Sequence, residues 1–149
     1  MSKESTIHAS AVLVGPRAVL VRGPAGSGKS RLALALIQAG GHALPFTRLI
    51  GDDRVHVEAA HGRLLVRPAE SLAGLIEVRG LGIRRVPFES LALVGLVVDL
   101  AAASERLPPR ESAATELAGI TLPRLAVAAG ADPLRLLFAA LQTPDSGAL

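Results

Sequence analysis

The sequence has no cysteine, no tryptophan and no tyrosine, and it has only three phenylalanines. The absence of cysteine excludes disulfides, thiolate metal sites and cysteine nucleophiles, and it suits a reducing cytoplasm. Because aromatic residues make up only 2% of the chain, a nucleic-acid surface built on stacked side chains is not expected. The net charge of +3 is spread along the chain without a dense basic run. The sequence therefore gives no indication of DNA or RNA binding.

Long apolar runs are also missing. No stretch reaches the roughly 18 uninterrupted apolar residues of a membrane span, and the first ten residues, MSKESTIHAS, lack the apolar run of a signal peptide. We therefore expect a soluble cytoplasmic protein that has no membrane partner.

The chain has enough apolar residues to build a core. It has 149 residues, of which 50% are hydrophobic, and its mean hydropathy is +0.43. This length suits one domain, which we expect to span residues 1–149.

The pattern of apolar residues and glycines predicts an α/β domain. Because short hairpin-like strands occur beside longer apolar ones, a mixed central sheet is expected rather than a purely parallel one. Strands are predicted over 7–14, 18–22, 55–58, 63–67, 75–79, 91–101 and 120–128, the last interrupted by Pro123. Helices are predicted over 28–39 and 134–141, with a loop or fragmentary helix over 102–115 and a frayed end over 143–149.

One segment matches G-x-x-x-x-G-K-[ST], the phosphate-binding loop (P-loop, Walker A) motif, at every fixed position. It follows a predicted strand and begins a predicted helix, so its N–H groups and the helix N-terminus would surround a triphosphate. The lysine would reach the β- and γ-phosphates and the serine hydroxyl would ligate Mg²⁺. The predicted ATP-binding residues are Gly23, Pro24, Ala25, Gly26, Ser27, Gly28, Lys29 and Ser30.

The lysine of this motif is unusual in this chain. Only two of the sixteen basic residues are lysines, Lys3 and Lys29, and one of them falls on the required position. This usage favours a site that needs a compact ammonium group rather than a guanidinium fork.

A P-loop kinase also needs acidic residues for the metal and for the attacking hydroxyl. Asp99 ends an apolar strand, as a Walker B aspartate does. Asp52 and Asp53 follow Leu49-Ile50, and Glu77 lies between two apolar residues. From the residues alone these candidates cannot be ranked. A strand histidine such as His8 is more often structural than catalytic.

Taken together, the segments TIHASAVLV, GPAGSGKS, LIGDDRVHV and LIEVRGLGI resemble the catalytic domain of the bacterial HPr kinase/phosphorylase over roughly residues 6–86. The resemblance implies a P-loop kinase fold of the PEP-carboxykinase-like type. It implies an ATP- and Mg²⁺-dependent kinase that phosphorylates a serine of the phosphocarrier protein HPr. It also implies a short form, without a separate N-terminal domain, and a hexameric homo-oligomer.

The resemblance also implies roles for individual residues. Ser30 and Glu77 become the Mg²⁺ ligands, His8 lies beside the transferred phosphate, and Lys29 is the P-loop lysine. The Asp52-Asp53 pair supplies the carboxylate that accepts the serine proton, with Asp53 favoured and Asp52 as its support. The signature loop begins at Arg79, which we count with the catalytic residues, and Asp99 becomes structural.

Two other functions remain open at this point. The chain departs from the family pattern at Arg84-Arg85 and downstream, where Arg124 is a poor match to a catalytic arginine, and these departures leave the reverse, phosphorolytic reaction open. A nucleotide-binding regulatory module that partners a sensor kinase is therefore an alternative. A third possibility is a small-molecule kinase whose lid would come from residues 106–110.

Overall fold

The structure, a computed structural model, describes residues 6–102 and 110–143. Within these ranges the chain forms ten strands and two α-helices, together with short 3-10 turns at Glu70–Leu72 and Arg110–Ala113. The strands are β1 (Thr6–Val14), β2 (Arg17–Arg22), β3 (Thr47–Gly51), β4 (Arg54–Ala60), β5 (Arg63–Pro68), β6 (Leu75–Val78), β7 (Gly82–Arg85), β8 (Ala92–Ala102), β9 (Ala114–Leu117) and β10 (Ile120–Ala128). The helices are α1 (Lys29–Ala39) and α2 (Pro133–Gln142).

Three parallel strands fix the edge at which the site is built. β2 and β10 both run parallel to β8, one on each side of it, whereas the other strand pairs are antiparallel. The carboxyl ends of parallel strands meet at one edge of a sheet, and the loop between β2 and α1 lies at that edge. The predicted α/β class with a mixed sheet is confirmed.

The main sheet closes on itself. β1 pairs with β2, β3 and β4, β5 joins β4 to β8, and β8 returns to β2. One core cluster lies between the sheet and the helices and contains Leu36, Val98 and Leu137. A second cluster, which contains Leu20 and Val97, is enclosed on the other face by β4 and β5. Alternate residues of β2 and β8 therefore enter different clusters, as strand geometry requires.

Several elements differ from the sequence-based prediction. β3, β7 and β9 were not predicted, because each has four or five residues and, unlike the equally short β6, at most two apolar residues to indicate a strand. Pro123 does not interrupt β10, because the parallel pairing with β8 begins one residue later, at Arg124. In the predicted 102–115 loop, residues 110–117 form the second 3-10 turn and β9. The rest of that prediction over 103–109, and the predicted frayed end over 144–149, lie outside the described residues.

No helix in the part of the chain that the structure describes is long and apolar enough to cross a bilayer.

Candidate functional site

The glycine-rich loop, residues 23–30, connects β2 to α1 in a conformation that requires glycine. Gly28, immediately before the helix, has a φ of 101°, and Gly26 has a φ of 81°. A Cβ on Gly23 would lie 2.5 Å from the Ser27 Oγ and 3.0 Å from the Leu100 Cβ. The loop therefore packs closely against the end of β8. Local steric constraints explain why glycine occupies these positions of the motif.

The Lys29 side chain folds back across this loop. Its Nζ donates to the carbonyl oxygens of Gly23 (2.8 Å) and Pro24 (3.2 Å), and the residue is buried. The Ser27 Oγ is also buried and has no hydrogen-bond partner within the described residues. The first turn of α1 has no acidic residue to neutralise its N-terminal dipole. These groups together form a positively polarised concavity that suits an anion.

The carboxylate of Asp52 connects four parts of the chain. It is 5% exposed, and its Oδ1 accepts from the Ser10 Oγ at 2.8 Å and from the Ser30 Oγ at 2.7 Å. Its Oδ2 lies 2.9 Å from the Ser30 Oγ and accepts the backbone N–H of Glu77 at 3.0 Å. Asp52 therefore joins β1, α1 and β6 to the turn between β3 and β4. A buried carboxylate is stable only with such donors around it.

Ser10 belongs to this cluster but was not predicted as a site residue. It is fully buried in β1, donates to Asp52, and accepts the backbone N–H of Asp53 at 3.1 Å. The signal in the sequence was a single serine within an apolar strand, two residues after His8 and therefore on the same face. Its partners could not be predicted because they come from the turn between β3 and β4, more than 40 residues further along the chain.

Asp53 points outward beside His8. The His8 Nδ1 lies 3.9 Å from the Asp53 Oδ1, and both side chains are exposed. The guanidinium of Arg54 lies 2.9 Å from the His8 Nε2. Because arginine only donates, the Nε2 must accept, so the ring proton of a neutral His8 lies on Nδ1 and faces Asp53. Asp53 has a φ of 71°, which aspartate tolerates better than most residues.

Glu77 lies on β6 and Arg79 lies in the turn that follows it. Glu77 is exposed on β6, and its backbone anchors the strand to Asp52. Arg79 lies in the exposed turn after β6 and has no ion-pair partner within residues 6–102 and 110–143. The structure thus brings Ser30, Asp52 and the backbone of Glu77 into direct contact and places Asp53 and His8 beside them. Arg79 lies two residues after Glu77 in the chain.

Asp99 lies on the opposite face of the sheet. Its neighbours Val98 and Leu100 belong to the helix-side cluster, so Asp99 points away from α1. Its carboxylate accepts from Arg22 at 2.7 and 2.8 Å and also pairs with Arg124. Burial raises the pKa of Asp99, but the hydrogen bonds and charges of the two arginines outweigh burial, so that this pKa is lowered. This pairing favours the structural role that the resemblance implied.

The residues around Ser30 fit a magnesium ion. The Ser30 hydroxyl hydrogen is directed at Asp52, which leaves the lone pairs of Oγ available to a cation, and the exposed Glu77 carboxylate is on the adjoining strand. Both are the hard oxygen ligands that Mg²⁺ prefers. Within the described ranges no group of three histidine, cysteine or acidic residues is placed to hold a metal. This arrangement suits an ion that keeps several waters and phosphate oxygens as ligands.

A cavity of about 360 Å³ adjoins the glycine-rich loop. Residues 24–27 form one wall, and residues 127–131 at the end of β10 and just after it, together with Pro133, form the other. Small residues line it, and polar and apolar atoms contribute about equally to its surface, so it offers room beside the loop for a group with both polar and apolar parts.

Comparison with known proteins identifies the family of this chain. The family model described as HPr Serine kinase C-terminal domain matches residues 1–91. The HPr kinase/phosphorylase of Clostridium tetani is 36% identical over 100 residues, which cover 67% of this chain and 30% of the relative. That of Streptococcus thermophilus is 39% identical over 84 residues, 56% of this chain and 25% of the relative. The chain thus spans less than a third of the length of these curated relatives.

A solved structure has the same fold. The Hpr(Ser) kinase/phosphatase from Coxiella burnetii matches with a TM-score of 0.76 at 23% identity, covering 93% of this chain and 95% of that one. At this identity the match shows the fold, whereas the family is shown by the sequence match to more than half of the chain. The chain belongs to the HPr serine kinase C-terminal domain family.

Proposed function

We propose that this chain is an ATP- and Mg²⁺-dependent kinase that phosphorylates a serine of HPr. The observation that carries the proposal is the buried Asp52 carboxylate, which binds the Ser30 hydroxyl at the end of the glycine-rich loop. That contact supports the proposal because it joins the Ser30 hydroxyl, at the end of the glycine-rich loop, to the turn that carries the exposed Asp53. The family supports HPr as the acceptor.

The glycine-rich loop acts in this proposal as a P-loop of PEP-carboxykinase-like architecture. Its N–H groups and the Lys29 ammonium bind the β- and γ-phosphates of ATP, and the buried Ser27 hydroxyl is a further donor. Lys29 exchanges its two carbonyl partners for phosphate oxygens, which are stronger acceptors because they are charged. The cavity beside the loop has room for the nucleoside.

Ser30 and Glu77 hold the magnesium ion, with Asp52 fixing the direction of the Ser30 hydroxyl. When bound, the ion neutralises charge on the phosphate oxygens during transfer. Asp52 contacts Ser30, Ser10 and the backbone of Glu77, so we assign it the role of positioning these groups.

Asp53 accepts the proton of the acceptor serine. The serine oxygen forms a bond to the γ-phosphorus, the bond from that phosphorus to the β–γ bridging oxygen breaks, and the serine proton moves to the Asp53 carboxylate. ADP leaves with the electron pair of the broken bond. His8, whose Nδ1–H faces Asp53, orients that carboxylate and lies beside the transferred group. Arg79 provides positive charge at the same edge.

Other parts of the proposal follow the family. We propose that residues 1–149 act as one catalytic domain in the cytoplasm and that the chain forms a homo-oligomer. The regulatory-module alternative is not favoured by the family match. The lid of a small-molecule kinase would fall on residues 106–110, most of which lie outside the described residues.

The test is transfer to HPr. The chain is incubated with ATP, Mg²⁺ and HPr from the same organism, and the HPr is analysed by mass spectrometry. A serine-linked gain of one phosphate supports the proposal, and Lys29→Ala should abolish it with the fold intact by circular dichroism. ATP binding without transfer would refute the kinase and support the regulatory module.

A further inference from the structure

The hairpin of β6 and β7 exposes apolar and positively charged side chains beside the site. Leu81 and Ile83 are 64% and 63% exposed, and Arg84 and Arg85 are exposed on β7. Isolated apolar residues on a surface need no explanation, but a cluster of them next to arginines is typical of a protein interface.

The strand register joins this cluster to the candidate site. Glu77 is directly opposite Ile83, and Leu75 is opposite Arg85. Residues opposite each other in an antiparallel pair share a face, so Glu77, Ile83 and Arg85 lie on one face of the hairpin. Since the backbone of Glu77 donates to Asp52, Ile83 is only one strand spacing, about 5 Å, from the strand that contacts Asp52.

The same face continues into an apolar groove. A cavity of about 500 Å³ follows β7 and is lined by Arg85, Val86, Pro87, Phe88, Gly74 and Arg48. Phe88 is 39% exposed, and Phe46, over whose ring the Arg48 guanidinium lies at 4.8 Å, is 50% exposed. Two of the three aromatic residues of the chain are thus exposed here. Exposed aromatic residues next to arginines are the usual anchors of protein interfaces.

The charge of this region indicates the charge that a complementary partner presents. Arg79, Arg84 and Arg85 have no carboxylate partner in the described part of the chain, and residues 78–88 contain no acid. Arg48 is paired with Glu89 at 3.4 Å. Two copies of this hairpin facing each other would bring arginines together, which disfavours a symmetric self-contact. The complementary partner presents carboxylates around an apolar side chain.

We propose that Arg48, Ile83, Arg85 and Phe88 form a docking surface for the protein acceptor, which inserts an apolar side chain into the groove and places carboxylates against Arg85. This proposal rests on the proposed function, since the surface adjoins the face that carries Glu77. Docking there would bring an acceptor serine to Asp53 and would determine which proteins are phosphorylated.

The experiment compares Arg85→Glu and Ile83→Ser with the matched control Arg63→Glu, an exposed arginine at the start of β5. Binding of fluorescently labelled HPr from the same organism is measured by anisotropy, and the KM for HPr is measured where transfer occurs. We expect each docking variant to weaken HPr binding and raise KM by about tenfold, with kcat at saturating HPr and binding of a fluorescent ATP analogue unchanged. High salt should weaken wild-type binding more than Arg85→Glu binding.

The outcomes separate the two proposals. HPr that binds through these residues without being phosphorylated supports the docking surface and refutes the kinase. Phosphorylation with unchanged KM in both variants overturns the docking surface and leaves the kinase standing. Absence of HPr binding to the wild-type chain also overturns the docking proposal. Binding to vesicles of anionic lipid is measured as well, and the proposal is overturned if Arg85→Glu loses this binding but keeps its binding to HPr.

Discussion

The Ser30 hydroxyl donates to the Asp52 carboxylate at 2.7 Å, and this contact joins the first turn of α1 to the turn between β3 and β4. The two residues are 22 positions apart and belong to separate motifs. Because the hydroxyl hydrogen is directed at the carboxylate, the lone pairs of the Ser30 oxygen remain available to a cation. The predictions below follow from this cluster and from the ion pairs behind it.

Asp52→Asn should weaken magnesium binding without removing the Ser30 oxygen. An amide directs the Ser30 hydroxyl less firmly than a carboxylate, and loss of such supporting contacts commonly costs about 10–100-fold in metal affinity. We expect the half-saturating Mg²⁺ concentration for ATP-dependent transfer to rise by that factor. Glu58→Gln, at an exposed acid on β4, is the matched control, and an equal rise there would contradict the role given to Asp52.

Asp53→Asn should abolish transfer and leave stability and nucleotide binding intact. The side chain is exposed, and asparagine tolerates the φ of 71° as well as aspartate does. We expect the transfer rate at saturating substrates to fall by about 10²–10⁴-fold. The free energy of unfolding should change by less than about 0.5 kcal/mol. Single-turnover transfer and urea unfolding measure the two quantities, and full activity of this variant would exclude Asp53 as the proton acceptor.

Ser10→Ala should destabilise the fold. The change removes one donor to Asp52 and leaves the backbone N–H of Asp53 without its acceptor. Leaving buried polar groups unpaired costs about 1–3 kcal/mol. Urea unfolding should show this loss, whereas Ser71→Ala, at an exposed serine of the first 3-10 turn, should be neutral. Equal stability of the two variants would show that the Ser10 contacts do not stabilise the fold.

Asp99 should make the stability of the protein depend on pH in the acid range. Its folded-state pKa is lowered by Arg22 and Arg124. The stabilisation is therefore complete above the unfolded pKa of about 4 and is lost as pH falls through the lower folded pKa. Urea unfolding should show Asp99→Asn to be less stable than wild type at pH 7, with the difference shrinking below about pH 4. Glu58→Gln, at an exposed acid on β4, should show no such convergence.

Much of the local structure could be predicted from the sequence. The strand before the glycine-rich loop, the loop itself and α1 follow from apolar runs and fixed glycines, and the structure places them as expected. The short strands β3, β7 and β9 have few apolar residues, and they could not be predicted because pairing with neighbours rather than their own pattern makes them strands.

The candidate carboxylates show the limit of sequence reasoning most clearly. Asp99 ends a long apolar strand and has the pattern of a metal-supporting aspartate, yet alternation along β8 turns it toward Arg22 and Arg124. Asp52 has a weaker pattern but meets Ser30 because β3 lies beside β1 and carries the turn to the helix N-terminus.

The sequence by itself determined the anion-binding loop, the single motif lysine and the absence of thiol and stacking chemistry, because these depend on residue type and on spacing over a few positions. Only the tertiary structure decided which carboxylate supports Ser30, that Ser10 belongs to the site, and that Arg85 and Phe88 adjoin it. Those relations join residues far apart in the chain. They are fixed by strand order and register, which the local sequence pattern does not specify.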